Sequence, residues 1–123
     1  MRLPVLVLTL VTLSACAKSP ESIQAAYVSP VQYDAWTCSQ LGEEASRVND
    51  ALTTASSQQR TARRNDTMGV IFLGLPVSSL SGGNVTEQVA SLKGHRDVIA
   101  KAATRKDCSL PVLVDPMIVT AEN

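Results

Sequence analysis

From Cys38 onward one set of positions, Cys38, Leu41, Ala45, Val48, Leu52, Ala55, Gln59 and Ala62, recurs at spacings of three and four in strict alternation. Such a heptad seam makes a narrow stripe along one helix, and that stripe needs a neighbour to cover it. The seam is apolar except for Gln59, and its small residues admit a close partner. Thr37, with Gln40 three residues later, is a capping box that marks the helix start. Glu43 precedes Arg47 at i,i+4, the favourable order for a helical ion pair. Glu43 and Glu44 lie early while Arg60, Arg63 and Arg64 lie late, as the helix dipole prefers.

A second helix is expected from Asn84, a good N-cap with Glu87 three residues beyond it. Val85, Val89, Leu92, Ile99 and Ala103 form its apolar stripe, and Lys101, Arg105 and Lys106 gather near its end. Gly94 weakens its middle. It should stop close to Cys108, ahead of Pro111, after running about 36 Å. The string Leu80-Ser81-Gly82-Gly83-Asn84 at its start resembles the signature of ABC-type ATPases. No Gly-x-x-x-x-Gly-Lys-Ser/Thr loop accompanies it, and such a nucleotide-binding domain is much larger than this chain. The glycines are therefore read as a turn and Asn84 as a cap, with no nucleotide partner.

The N-terminus reads as a secretory signal: Arg2, an apolar run from Leu3 to Leu13, then small residues. That run is too short for a permanent spanning helix. Its ending, Leu13-Ser14-Ala15-Cys16, is similar to the lipobox of bacterial lipoproteins. The resemblance implies removal of residues 1–15 and acylation (palmitate among the chains) of Cys16, which becomes a membrane anchor. Ala17 after the lipidated cysteine leans toward the outer membrane, facing the periplasm, rather than the inner membrane. Cys38 and Cys108 would then meet an oxidising compartment, where a disulfide is the default. A zinc site would need more ligands, and His95 is the only histidine. A redox pair is more typically spaced Cys-x-x-Cys.

A Cys38–Cys108 bond requires two antiparallel helices with both cysteines at one end. The expected architecture is all-α: a lipid-anchored linker over 16–36, a helical hairpin over 37–108 and an extended apolar tail over 109–123. The linker is read as extended at first and packed from Tyr27 onward. In the tail, Pro111 and Pro116 exclude a regular helix. It is expected to lie along the hairpin and cover the seam. Between the helices, Thr67 to Leu80 crowds Val70, Ile71, Phe72 and Leu73 at the tip remote from the disulfide. Three arrangements fit this tip. The first helix runs to Leu73, stops at Gly74 and Pro76, and packs its return strand on itself. Alternatively the tip docks a partner or a second copy, or it dips into a membrane surface.

Catalytic chemistry is not legible. His95 is isolated and read as solvent-facing, the serines lack a Gly-x-Ser-x-Gly or acid–His–Ser setting, and no cofactor or metal site is suggested. Losing Arg2 with the signal leaves ten basic against eleven acidic side chains, which argues against nucleic acid as a partner. Cys38-Ser39-Gln40-Leu41, the Thr67–Leu80 tip, Leu92-Lys93-Gly94 and Cys108 together resemble a family of small bacterial envelope lipoproteins. The resemblance implies a tethered, disulfide-clamped hairpin and no particular activity. The expected function is a non-catalytic structural or accessory subunit of an envelope assembly, with an envelope protein or a second copy as partner. The alternative is a lipid-interacting module that uses the tip, with Arg60, Arg63 and Arg64 near head groups.

Overall fold

The computed structural model describes residues 17–110, apart from Pro76, Asn84 and the side chain of Leu80. The expected signal peptide, the expected lipidation site Cys16, the expected cap Asn84 and the tail beyond Leu110 lie outside the described residues. Within them the chain is all-α, with helices α1 (Cys38–Leu73), α2 (Val77–Leu80) and α3 (Thr86–Arg105). Two 3₁₀ turns, Pro20–Ser22 and Pro30–Tyr33, precede them, and no strand is present among the described residues.

α1 starts where its capping box places it. The Thr37 hydroxyl accepts from Gln40 N, while Gln40 Oε1 accepts from Thr37 N at 2.9 Å. The helix runs 36 residues, about 54 Å at 1.5 Å per residue. It ends on Gly74, whose φ of 71° is the left-handed cap that glycine adopts without a Cβ penalty. The seam faces inward from Leu41 on: Leu41, Ala45, Val48, Leu52, Ala55, Gln59 and Ala62 are all buried, whereas Cys38 in the first turn is exposed. The same three-and-four alternation continues to Asp66 and Gly69, which are buried as well.

α3 packs antiparallel on α1, with Val89, Val98, Ile99, Ala102 and Ala103 buried against the seam. At one end the Cys38–Cys108 disulfide holds Cα atoms 5.4 Å apart across 70 positions of sequence. At the other end Val85 N donates to Gln59 Oε1 at 2.7 Å. The lone polar residue of the seam thus serves as a distant acceptor at the start of α3. α3 ends at Arg105, and Cys108 follows on a turn closed by its N–H to Ala103 O.

The segment expected to be a linker is instead a third layer of the fold. It packs from Ala17 rather than from Tyr27, and Tyr27 itself is 88% exposed. Residues 17–36 run antiparallel to α1 and parallel to α3. Their ties begin at Gln59 Nε2, which donates to Lys18 O at 2.9 Å, and at Arg60, which pairs with Glu21 at 2.8 Å. Lys93 Nζ then donates to Pro20 O and Ile23 O at 2.7 and 2.8 Å, and Ala26 N donates to Ala90 O at 2.8 Å. Near the disulfide Arg105 and Lys106 both hold Asp34, through its carboxylate and its carbonyl. Ile23 joins Leu52, Ala55 and Val89 in one core cluster, and Tyr33 joins Leu41, Val48 and Ile99 in the other. The physical reason is that two helices leave one side of their seam open, and this segment closes it.

Gly94 is the clearest reversal. Read along the helix it is a weak link, but a Cβ there would sit 2.2 Å from Ala26 O and 2.9 Å from Val28 Cγ2. The missing side chain is what lets the 17–36 layer reach α3. Propensity alone makes Gly94→Ala stabilising by about 1 kcal/mol. The buried clash reverses that sign, so we expect a net loss of about 1–2 kcal/mol in urea unfolding. Cys108→Ser should remove up to about 4 kcal/mol in the same assay, the loop-entropy limit for this spacing. Reductant should lower the wild type to the same level and leave the variant unchanged.

Candidate functional site

The end of the hairpin remote from the disulfide gathers the features least explained by folding alone. α3 begins beside Gln59, so the last four turns of α1 run on without a long helical neighbour. Asp66 fills that gap. Its carboxylate is fully buried and accepts four hydrogen bonds, from Ala17 N (3.0 Å), Ser78 N (2.6 Å), Ser79 N (3.0 Å) and the Ser79 hydroxyl. One side chain therefore joins the first described residue, the helix that carries the tip, and the return helix α2. Burial alone would raise the Asp66 pKa, but the bonds from Ser79, Ala17 and Ser78 outweigh it and hold the carboxyl below its ordinary value.

Beyond Asp66 the helix surface turns apolar. Val70, Ile71, Phe72 and Leu73 are all exposed, Ile71, Phe72 and Leu73 by 67, 74 and 69%. Met68, Leu75 and Val77 extend the exposed patch. The self-packed tip therefore does not form. The return is a single helical turn whose Val77 side chain leans on α1 at Gly69, and Asp66 ties it through Ser78 and Ser79. α1 does stop at Leu73 and Gly74, as the sequence suggests. The glycines after α2 serve a turn, with Gly83 N donating to Ser78 O at 2.8 Å.

The three arginines separate. Arg60 is occupied by Glu21, whereas Arg63 and Arg64 make no ion pair among the described residues and border a shallow hollow with Thr67 and Met68. Arg63 lies about 13 Å before Phe72 along the axis, and Arg64 about 12 Å.

His95 is not solvent-facing. Its Nδ1 lies 2.7 Å from the hydroxyl of buried Tyr33, and the two rings meet edge to face. Burial, with the Glu44 charge second, pushes the Tyr33 phenol up, so it stays neutral at neutral pH. The pair braces the 17–36 layer on α3, far along the chain from the tip. No group of three or more His, Cys, Asp or Glu that could hold a metal is present among the described residues. No helix among them is long and apolar enough to cross a membrane. Asp66 is not legible in the sequence because three of its four donors are backbone amides 12 to 49 positions away. A signal existed, since continuing the seam register past Ala62 lands on it. Comparisons with protein-family models, curated proteins and solved structures found no match to this chain.

Acid should expose the Asp66 tie. A depressed carboxyl contributes stability that is present above its unfolded value, near 3.8, and lost as pH falls through the lower folded value. Asp66→Asn turns an acceptor-only group into one that presents N–H to N–H. We expect it to cost about 3 kcal/mol at neutral pH. It should also flatten the acid limb of stability against pH, read by urea unfolding from pH 7 down to about pH 2.

Proposed function

We propose that this chain is a lipid-anchored, non-catalytic protein of the bacterial cell envelope, acting as a structural or accessory element at a membrane surface. The observation that carries this reading is the position of Ala17 in the fold. Ala17, one residue after the lipobox cysteine, is buried and held by Asp66 beside the apolar end of α1. A tether at Cys16 would leave no slack between lipid and fold. The acyl chains and the exposed tip would share one end of the molecule. The lipobox-like Leu13-Ser14-Ala15-Cys16 and the Ala17 that follows favour the outer membrane, on its periplasmic side.

The oxidised clamp fits that compartment, because thiol pairs persist as disulfides outside the reducing cytosol. A structural role also fits the chemistry on view: the one histidine is spent on Tyr33, and the buried carboxylate is spent on three backbone amides and the Ser79 hydroxyl. The test is metabolic labelling with a palmitate analogue in a two-membrane bacterium producing the full chain. The wild type should take up label and sediment with outer-membrane fractions, and Cys16→Ser should take up none. An unlabelled wild type would sink the anchoring reading.

A further inference from the structure

We infer that the last turn of α1 is a bilayer-docking surface, with Ile71, Phe72 and Leu73 entering the acyl region and Arg63 and Arg64 at anionic head groups. This deepens the anchoring reading above and rests on it for orientation.

The distribution of apolar side chains separates a bilayer from a protein partner. A helix that docks in a groove carries an apolar stripe on one face, at i, i+3, i+4 and i+7. Val70, Ile71, Phe72 and Leu73 are consecutive, so at 100° per residue they cover the whole circumference of the helix. All four are exposed. A turn that is apolar on every side suits a surrounding without direction, such as hydrocarbon, better than a groove. Beyond Gly74, exposed Leu75 widens the same surface.

Charge and spacing point the same way. Interfacial segments sink their apolar part about 5–10 Å past the head groups, with arginine or lysine at the polar boundary. Arg63 and Arg64 stand about 12–13 Å behind Phe72 along the axis and keep both charges free among the described residues. Their long side chains can reach back along the apolar surface while the guanidinium stays at phosphate level. Arg60, one turn further away, is already paired with Glu21. No helix among the described residues is long and apolar enough to cross a membrane, so the tip enters one leaflet only.

The bond between Ala17 and Asp66 fixes the occupant. Asp66, which holds Ala17, is six residues before Phe72, about 9 Å along the helix. An acyl anchor on residue 16 therefore delivers the tip to the membrane that receives the anchor. The tip adds a second point of contact to the lipid, and two contacts set an orientation that one cannot. A protein partner or a second copy on the same patch would have to compete with that bilayer at close range.

Phe72→Trp in a Trp36→Phe background, purified as cells process it, gives a direct reading in phosphatidylcholine vesicles with and without phosphatidylglycerol. Docking predicts a blue-shifted indole that is quenched by nitroxides on lipid acyl chains, more so in the anionic vesicles. Arg63→Gln and Arg64→Gln should each lower the quenched-to-unquenched ratio about fivefold in anionic vesicles. Ile71→Asp in the same background should abolish quenching with helical content retained, because Ile71 is exposed. An indole that emits as in water and escapes the lipid quenchers overturns the proposal. So does a blue-shifted indole that only a second copy of the chain, not lipid label, can quench. Because quenching is read whether or not Cys16 carries a fatty acid, it fails separately from palmitate labelling.

Discussion

The Asp66 carboxylate joins Ala17, the tip-bearing turns of α1 and the return helix α2 at a single point. α3 stops reaching along α1 at Gln59, so the remaining turns have no apolar neighbour large enough to hold them. Burying a carboxylate costs several kcal/mol unless its oxygens are satisfied. Here four donors from Ala17, Ser78 and Ser79 offset that cost with charge-assisted bonds. The result is a polar node where a core would otherwise be needed. Because hydrogen bonds are directional, the node fixes the register of the return helix and the start of the chain together.

A second constraint acts along the rest of the molecule. Two helices of this length bury one seam each and leave the groove between them open on one side. Residues 17–36 close it, and most of the ties are to their backbone rather than to their side chains: Lys93 on two carbonyls, Gln59 on one, Ala90 on an amide. Backbone recognition demands close approach, and Gly94 supplies it. Leu92-Lys93-Gly94 thus reads as one device. Leu92 packs on both core clusters, Lys93 grips the neighbouring strand of chain, and Gly94 lets that chain come near.

What could be read from the sequence divides along the same line. The seam, the capping box, the stop at Leu73 and Gly74 and the cysteine pairing are local or periodic, and each appears in the structure where the sequence put it. The roles of Asp66, Lys93, Gly94 and His95 are not local. Each depends on a partner 12 to 73 positions away, often a main-chain group that carries no residue identity to recognise. The low complexity of residues 17–36, with Pro20, Pro30 and small polar side chains, imitates a linker, although Ile23 and Tyr33 are core residues. The tip was visible in sequence as a cluster of apolar residues. Its exposure was not, because that depends on where α3 begins.

These constraints bear on how the proposed anchor would work. A flexible linker of about 20 residues would let a domain wander some 25 Å from its lipid. Here the equivalent residues are committed to the fold from Ala17, so an anchor on residue 16 would move with the body. On the proposed attachment, α1 would carry the disulfide end about 50 Å from the docked tip. A spacer of this kind needs stiffness more than it needs chemistry. The continuous helix, the clamp at its far end and the layer tied along its length supply stiffness at each level. An accessory element that holds something at a set distance from a membrane would be built under the same constraints.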